Sequence, residues 1–272
     1  MQVYDEEVRV ATRLARAAGG VAMGYRDGDL RVELKPGDEP VTVADRRSSE
    51  LITHGLREAF PDDVIISEET ADDLRRLEAA RVWYIDPIDG TKDFIRGESG
   101  FSVMIGLTVA HRPVMGVVYQ PMGQRMYWSD GTRAFCQVGE SEAHPLSVSQ
   151  VSQVSDIRLV ASKSHRDTKI DKVKNALGIA NELNIGSVGL KLCLIALAER
   201  DLYVNPSSHC KSWDTCGPEA ILTTAGGVIT DVHGDPLRYD QEDTRRRRGL
   251  VASNGLVHAA VIDKLKPLFP RP

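Results

Sequence analysis

Residues 83–94 read WYIDPIDGTKDF, and the fold is decided here. Val82-Trp83-Tyr84-Ile85 is an apolar run rich in β-branched and aromatic residues, the composition of a buried strand. Asp86 stands where that run ends. Pro87 has no N–H to give a sheet ladder, so the strand is expected to stop there. Asp89 follows, then Gly90, whose missing Cβ lets backbone or a ligand approach closely. Thr91 opens a helical turn, and a helix N-terminus offers free amides to an anion. Two carboxylates thus stand beside an anion cradle, an arrangement that makes sense only with cations between them. Taken alone, Asp-Gly is an ordinary turn dipeptide.

The residues before this stretch weaken that plainer reading. Val64-Ile65-Ile66 is a second buried strand, and it too ends in acid, at Ser67-Glu68-Glu69. Parallel neighbours ending in acids on one edge bring Glu68 toward Asp86, at the strand ends where ligands gather in α/β sheets. A cluster of hard oxygen donors suits Mg2+, and two such ions can activate a water and stabilise a phosphate leaving oxygen. Asp214, in Trp213-Asp214, precedes a helix expected over 218–225, and Asp45 lies near the start of another. Each alone reads first as a helix cap or turn residue, and only the motifs taken together change that.

Further out, residues 5–23 form an amphipathic helix and 30–34 (LRVEL) alternate like a strand before the turn Lys35-Pro36-Gly37. A helix spans 44–60, and ADDLRRLEAA (71–80) reads as helix between the two buried strands. Strands follow near 101–110, 114–119 and 125–129. Beyond the polar stretch 139–155 the chain alternates again, with strands at 158–161, 202–204 and 228–230 and helices at 166–177, 191–199 and 257–268. The expectation is an α/β (α+β) chain in two parts. Residues 1–150 carry most of the acids, and 151–272 carry Asp214. The run Arg245 to Arg248 reads as a solvated loop.

Composition narrows the function. The 272 residues are 42% hydrophobic and 27% charged, so the chain can bury a core. A net charge of -5 (Lys+Arg 34, Asp+Glu 39) opposes binding of a nucleic-acid polymer but leaves room for a small anion. No apolar run is long enough for a membrane span, and the start MQVYDEEVRV lacks the features of a signal peptide, so a cytoplasmic protein is expected. Cys136, Cys193, Cys210 and Cys216 fit neither a disulfide framework nor a zinc spacing.

Together the acidic pair, D-P-x-D-G-T and W-D before a helix leading to Gly226-Gly227 resemble the lithium-sensitive, magnesium-dependent phosphomonoesterase superfamily. It includes inositol monophosphatase, fructose-1,6-bisphosphatase and 3'(2'),5'-bisphosphate nucleotidase. Lys92-Asp93-Phe94, residues 161–165 (ASKSH), Gly186-Ser187 to Lys191, and CKSWDTCGPEAIL (210–222) are most similar to the nucleotidase branch, whose place is in sulfur metabolism. Gly217 departs from the alanine frequent there. The resemblance implies a layered αβαβα sandwich and two or more Mg2+ ions. One ion would lie on Glu68, Asp86 and the carbonyl of Ile88, another on Asp86, Asp89 and Asp214. It further implies that Thr91, bonded toward Asp45, positions water beside Glu68. Phosphate would rest on Gly90 and Thr91, and His165, Ser187 and Lys191 would hold the nucleotide and its second phosphate. The implied reaction removes the 3'-phosphate of 3'-phosphoadenosine 5'-phosphate, with a small phosphorylated substrate as the only partner beyond a homodimer mate. Hydrolysis of inositol or fructose phosphates is the sister reading. A phosphatase with an Asp nucleophile in D-x-D is disfavoured by the two residues between Asp86 and Asp89, and a catalytically silent binding module by the complete acid set.

Overall fold

The computed structural model describes residues 3–26, 30–35, 39–163 and 168–271. The chain runs α1 (Asp5–Arg26), β1 (Glu33–Lys35), β2 (Glu39–Val41), α2 (Val43–Ala59), β3 (Val64–Ser67), β4 (Arg81–Asp89), α3 (Thr91–Ile95), β5 (Ser102–Val109) and β6 (Arg112–Gln120). It continues with β7 (Arg125–Ser129), β8 (Ala134–Val138), β9 (His144–Pro145), β10 (Leu159–Ser162), α4 (Thr168–Leu177), β11 (Glu182–Ile185) and α5 (Val188–Ala196). Last come β12 (Leu202–Asn205), α6 (Ser212–Thr224), β13 (Val228–Thr230), β14 (Leu250–Ser253) and α7 (His258–Leu265). Among the described residues these make a seven-stranded sheet in the order β3-β4-β5-β6-β7-β8-β9 and a five-stranded sheet in the order β11-β10-β12-β14-β13. The first pair, β3 with β4, is parallel and the rest of the large sheet antiparallel. A small β1–β2 hairpin stands apart.

The period-two pleat explains the layers. Trp83, Ile85, Ile105 and Val117 face α1 and α2, joining Leu14, Ile52 and Leu56 in one core. Their alternates Tyr84, Met104 and Val118 face the other way, into a core shared with α5, α6 and the five-stranded sheet. Val204 and Val251 point beyond that sheet to α4 and α7. The result is α1/α2, large sheet, α5/α6, small sheet, α4/α7: the layered αβαβα sandwich.

One contact sets the spacing between layers. Gly106 and Gly116 lie on the large-sheet face toward α6, and a Cβ on Gly116 would sit 2.0 Å from the carbonyl oxygen of Gly217. A Cβ on Gly106 would sit 2.4 Å from the Gly217 nitrogen, and one on Gly217 would sit 2.7 Å from the Ile105 carbonyl oxygen. The helix backbone therefore rests directly on sheet backbone. Gly217, the departure noted in the sequence, is what this contact requires.

Several expectations need correction. Residues 71–80 form only a single 3-10 turn, Arg75–Leu77. The Asp72 and Asp73 carboxylates accept the backbone N–H groups of Leu74 and Arg75, competing with helix, and Leu74 is left-handed (φ 65°). The strand at 30–34 is three residues placed later, Glu33–Lys35, paired in a hairpin, so Lys35 of the expected turn ends the strand; Pro36 and Gly37 lie outside the described residues. Helix α5 starts three residues before the expected 191, and α6 starts six before Pro218, which sits inside it. The expected helix from 166 is described from Thr168, and that at 257–268 ends at Leu265. Strands β2, β8, β9, β11 and β14 had no counterpart in the sequence reading. All four cysteines are free, and all four are buried. No helix among the described residues is long and apolar enough to cross a membrane.

His258, at the start of α7, ties the small sheet together. Its ring nitrogens contact the hydroxyls of Thr230 and Ser253, both at 2.9 Å. Burial lowers its pKa to about 4. Below its ordinary value of 6.5 the unfolded chain takes up a proton that the folded chain refuses, so this stability is lost as pH falls from 6.5 toward 4. Glu219, pushed by burial up to about 7, acts in the opposite sense over 4.5 to 7. The two are separated by comparing variants. His258→Gln should remove on the order of 1–2 kcal/mol of the pH dependence between pH 7 and 5, read from denaturant midpoints.

Candidate active site

Parallel pairing brings β3 and β4 to the same edge with Ser67 opposite Ile85. The Glu68 amide donates to the Ile85 carbonyl at 3.1 Å, which sets Glu68 beside Asp86. The β4–β5 ladder then breaks between Asp86 and Asp89 and resumes at Asp89 opposite Ser102. Pro87 thus interrupts the strand without ending it, contrary to the expectation, and produces a bulge. The Ile88 amide within it donates to Asp86 Oδ1 at 3.1 Å. Such bulges re-aim side chains. Gly90 follows at φ 93°, where a Cβ would sit 2.6 Å from the Gly100 carbonyl oxygen, and α3 begins at Thr91.

Three further elements complete the site. Asp45 lies in the first turn of α2 as half of a capping box, its Oδ2 accepting the Thr42 amide at 2.8 Å and hydroxyl at 2.6 Å. Its other oxygen accepts the Thr91 hydroxyl at 3.3 Å, a proton shared with the Ile88 carbonyl at 3.0 Å. Asp214 lies in the first turn of α6 and accepts the Lys211 amide at 2.8 Å. Ser187 caps α5; its hydroxyl donates to Asp89 Oδ2 at 2.6 Å, and the Gly189 amide donates to the same oxygen at 2.9 Å.

Lys191 is 2% exposed, so it is no solvated helix residue. Its ammonium donates to the carbonyls of Gly186 and Ser187 and lies 5.2 Å from the Tyr203 ring. Burial lowers its pKa to about 8, with Asp89 opposing. An ammonium has three N–H donors, so among the described residues one is left for a ligand. A cavity of about 230 Å³ is lined by Glu68, Asp86, Asp89, Thr91, Lys191 and Asp214, together with Ile88, Gly90 and Ser187. His165 lies outside the described residues.

Sequence reasoning missed the cations that face the acids. Lys35 Nζ stands 2.6 Å from Glu69 and 3.3 Å from Glu68, and Lys211 Nζ 2.9 Å from Glu39 and 3.7 Å from Glu68. Lys211, three residues before Asp214, carried a spacing signal; Lys35, at the end of β1 and 33 residues before Glu68, carried none. They do not neutralise the cluster. Burial, then the charges of Glu68, Asp89 and Asp214, hold Asp86 well above the usual carboxylate range. Asp214 is raised by burial, Glu68 and Asp89. Asp89 is raised by burial against the pull of Lys191. Burial also lifts Asp45 to about 6. Among the described residues no three histidine, cysteine or acidic side chains converge into a ready-made cage. The donor set nonetheless fits magnesium, because it is all hard oxygen and carries more negative charge than its neighbours balance.

Comparison with known proteins agrees in scale and order. A model described as the inositol monophosphatase family matches residues 4–268. The 3'(2'),5'-bisphosphate nucleotidase CysQ of Salmonella typhimurium is 35% identical over 240 residues, 85% of this chain and 93% of that protein. Human inositol monophosphatase 1 is 29% identical over 276 residues, 97% and 95% of the two chains. The crystal structure of CysQ from Bacteroides thetaiotaomicron superposes with a TM-score of 0.77 at 28% identity, over 91% of this chain and 97% of that one.

Proposed function

This chain belongs to the inositol monophosphatase family and is a phosphatase, and from that premise we propose its substrate and mechanism. The substrate is 3'-phosphoadenosine 5'-phosphate, and the reaction releases its 3'-phosphate to leave AMP. The observation that carries the chemistry is the cluster of Glu68, Asp86, Asp89 and Asp214 around one cavity with the Gly90–Thr91 turn beside it. Greater identity to CysQ than to inositol monophosphatase 1 supports the nucleotide, as does a buried ammonium on the cavity wall.

Magnesium dependence is general in this family. Glu68, Asp86 and the Ile88 carbonyl would hold one ion, and Asp86, Asp89 and Asp214 a second. Bound there, magnesium supplies positive charge that neutralises the phosphoryl oxygens and makes water a better nucleophile. The protein does the rest. The Gly90 and Thr91 amides receive the phosphate. The Thr91 proton is committed to Asp45 or to the Ile88 carbonyl, so its oxygen is left to accept from the attacking water and aim a lone pair at phosphorus. Glu68 stands on the same side to take the proton. Ser187 holds Asp89 in place, and the third N–H of Lys191 meets the phosphate that is not cleaved. His165, which lies outside the described residues, completes the proposed contacts to the nucleotide.

Hydrolysis of inositol or sugar phosphates is the second reading, favoured by the likeness to inositol monophosphatase 1 over nearly the whole chain. Initial rates on 3'-phosphoadenosine 5'-phosphate, inositol 1-phosphate and fructose 1,6-bisphosphate at one Mg2+ concentration decide between them. The nucleotide should lead in kcat/KM by at least about tenfold, the ~1.4 kcal/mol of one charge-assisted contact. Parity or a reversed order removes the nucleotide assignment and leaves the phosphatase assignment standing.

A further inference from the structure

The four-arginine run was expected to lie in solvent, and three of its members do. Arg247 pairs with Asp243 and Arg248 with Asp235, both more than half exposed, and Arg245 is exposed. Arg246 is different: it is 8% exposed. Its Nη2 and Nε donate to the Thr215 hydroxyl at 2.8 and 3.2 Å, its Nη1 donates to the Arg238 carbonyl, and its guanidinium lies 4.3 Å from the centre of the Tyr239 ring. Its backbone amide donates to the Cys210 carbonyl at 2.7 Å, and Arg245 bridges to Lys211. The segment 245–246 is therefore strapped along residues 210–211, while the side chain grips the first turn of α6 one residue past Asp214.

The grip is backed by an ordered set of hydrogen bonds. Arginine can only donate, so the Thr215 oxygen must accept from it. The Tyr239 hydroxyl contacts Thr215 at 2.9 Å and donates to Glu219, one turn further along α6, at 2.7 Å. Tyr239 is itself fixed by Tyr84 on β4, whose ring packs edge-on and whose hydroxyl donates to the Tyr239 carbonyl at 3.3 Å. Two turns of the helix bearing Asp214 are thus tied to β4, the strand bearing Asp86. A fully satisfied buried network of this kind fixes geometry more than its separate bonds would.

We propose that Arg246 is a positioning residue that sets the aim of Asp214 into the acidic cavity by clamping Thr215 and the residues that lead into α6. Lysine cannot replace it, because only a planar guanidinium reaches Thr215 through two nitrogens while stacking on Tyr239. The inference rests on the reading of Asp214 as a magnesium ligand.

Magnesium binding to the metal-free protein, measured by isothermal titration calorimetry beside the metal-free melting temperature, tests it. Arg246→Ala should raise the Mg2+ dissociation constant by at least about tenfold, the range for loss of a group that orients a metal ligand, with Arg246→Lys intermediate. Thr215→Val keeps the shape of the site and removes the gripped oxygen. It should do the same, and it carries the test if Arg246→Ala does not fold. Arg247→Ala should leave the constant within twofold of wild type. A lower melting temperature with an unchanged dissociation constant in both the Arg246 and Thr215 variants overturns the proposal, because the network would then only stabilise. Asp214→Asn separates the two levels. If it leaves Mg2+ affinity unchanged, the ligand reading fails; if it weakens binding while the Arg246 and Thr215 variants do not, the positioning inference alone fails.

Discussion

Asp86→Asn should retain less than about 1% of wild-type kcat at saturating Mg2+, while the metal-free protein becomes more stable. The first half follows from the proposed role, since Asp86 is the one side chain assigned to both ions and asparagine keeps its volume without its charge. The second half follows from electrostatics. The carboxylate is 2% exposed and crowded by Glu68, Asp89, Asp214 and Asp45, and its pKa lies well above the ordinary 3.8. A carboxyl raised in the folded state opposes folding progressively as pH climbs from its unfolded value through its folded one, and fully above that. The variant should therefore gain most over wild type at high pH and nothing in strong acid. Melting curves in a chelator at pH 5 and pH 8 check the sign; at this chain length each kcal/mol relieved shifts the midpoint by roughly 2–4 °C. A variant that keeps a tenth of its activity removes the bridging role, and one less stable than wild type at pH 8 removes the crowding argument.

Gly116→Ala should be among the most damaging single-methyl additions in the molecule. Its Cβ would lie 2.0 Å from the Gly217 carbonyl oxygen, and the obstacle is helix backbone, which cannot swing aside. The helix α6 must lift, carrying Asp214 with it. The expected cost is about 3–5 kcal/mol, at or above the usual range for overpacking, with a further loss of kcat where the protein still folds. Gly20→Ala in α1 is the contrast. Nothing lies within 4 Å of its Cβ position, and alanine is worth about 1 kcal/mol over glycine in a helix. Equal effects at the two positions would show that backbone contact does not set the layer spacing.

The strand ends were legible because they combine two local signals, a short apolar run and an acid that stops it. Glu68 and Asp86 could be placed side by side from that alone. The start of α6 was not legible, because Pro218 reads as a first-turn residue and only the contact of Gly217 with Gly106 and Gly116 explains a helix running past it. Residues 71–80 have helical spacing, yet two aspartates claim the amides a helix needs. Leu250–Ser253 is a strand of four residues, too short for periodicity to separate from a loop. Arg246 looks like its three neighbours in sequence. What distinguishes it, Tyr239 and Thr215, is brought near only by the tertiary fold, and so is the pairing of Lys35 with Glu68 and Glu69.

The four buried thiols turn the layered packing into a clock. Cys136, Cys193 and Cys216 sit in the core between the sheets, and Cys210 joins them against the cavity. Burial raises all four pKa values, so almost no thiolate is present to react while the layers are closed. Alkylation of Cys136, Cys193 and Cys216 from solvent must wait for opening, and its rate counts how often the sandwich comes apart. Cys210 alone borders the place where a ligand would sit, so its labelling also senses whether the cavity is filled.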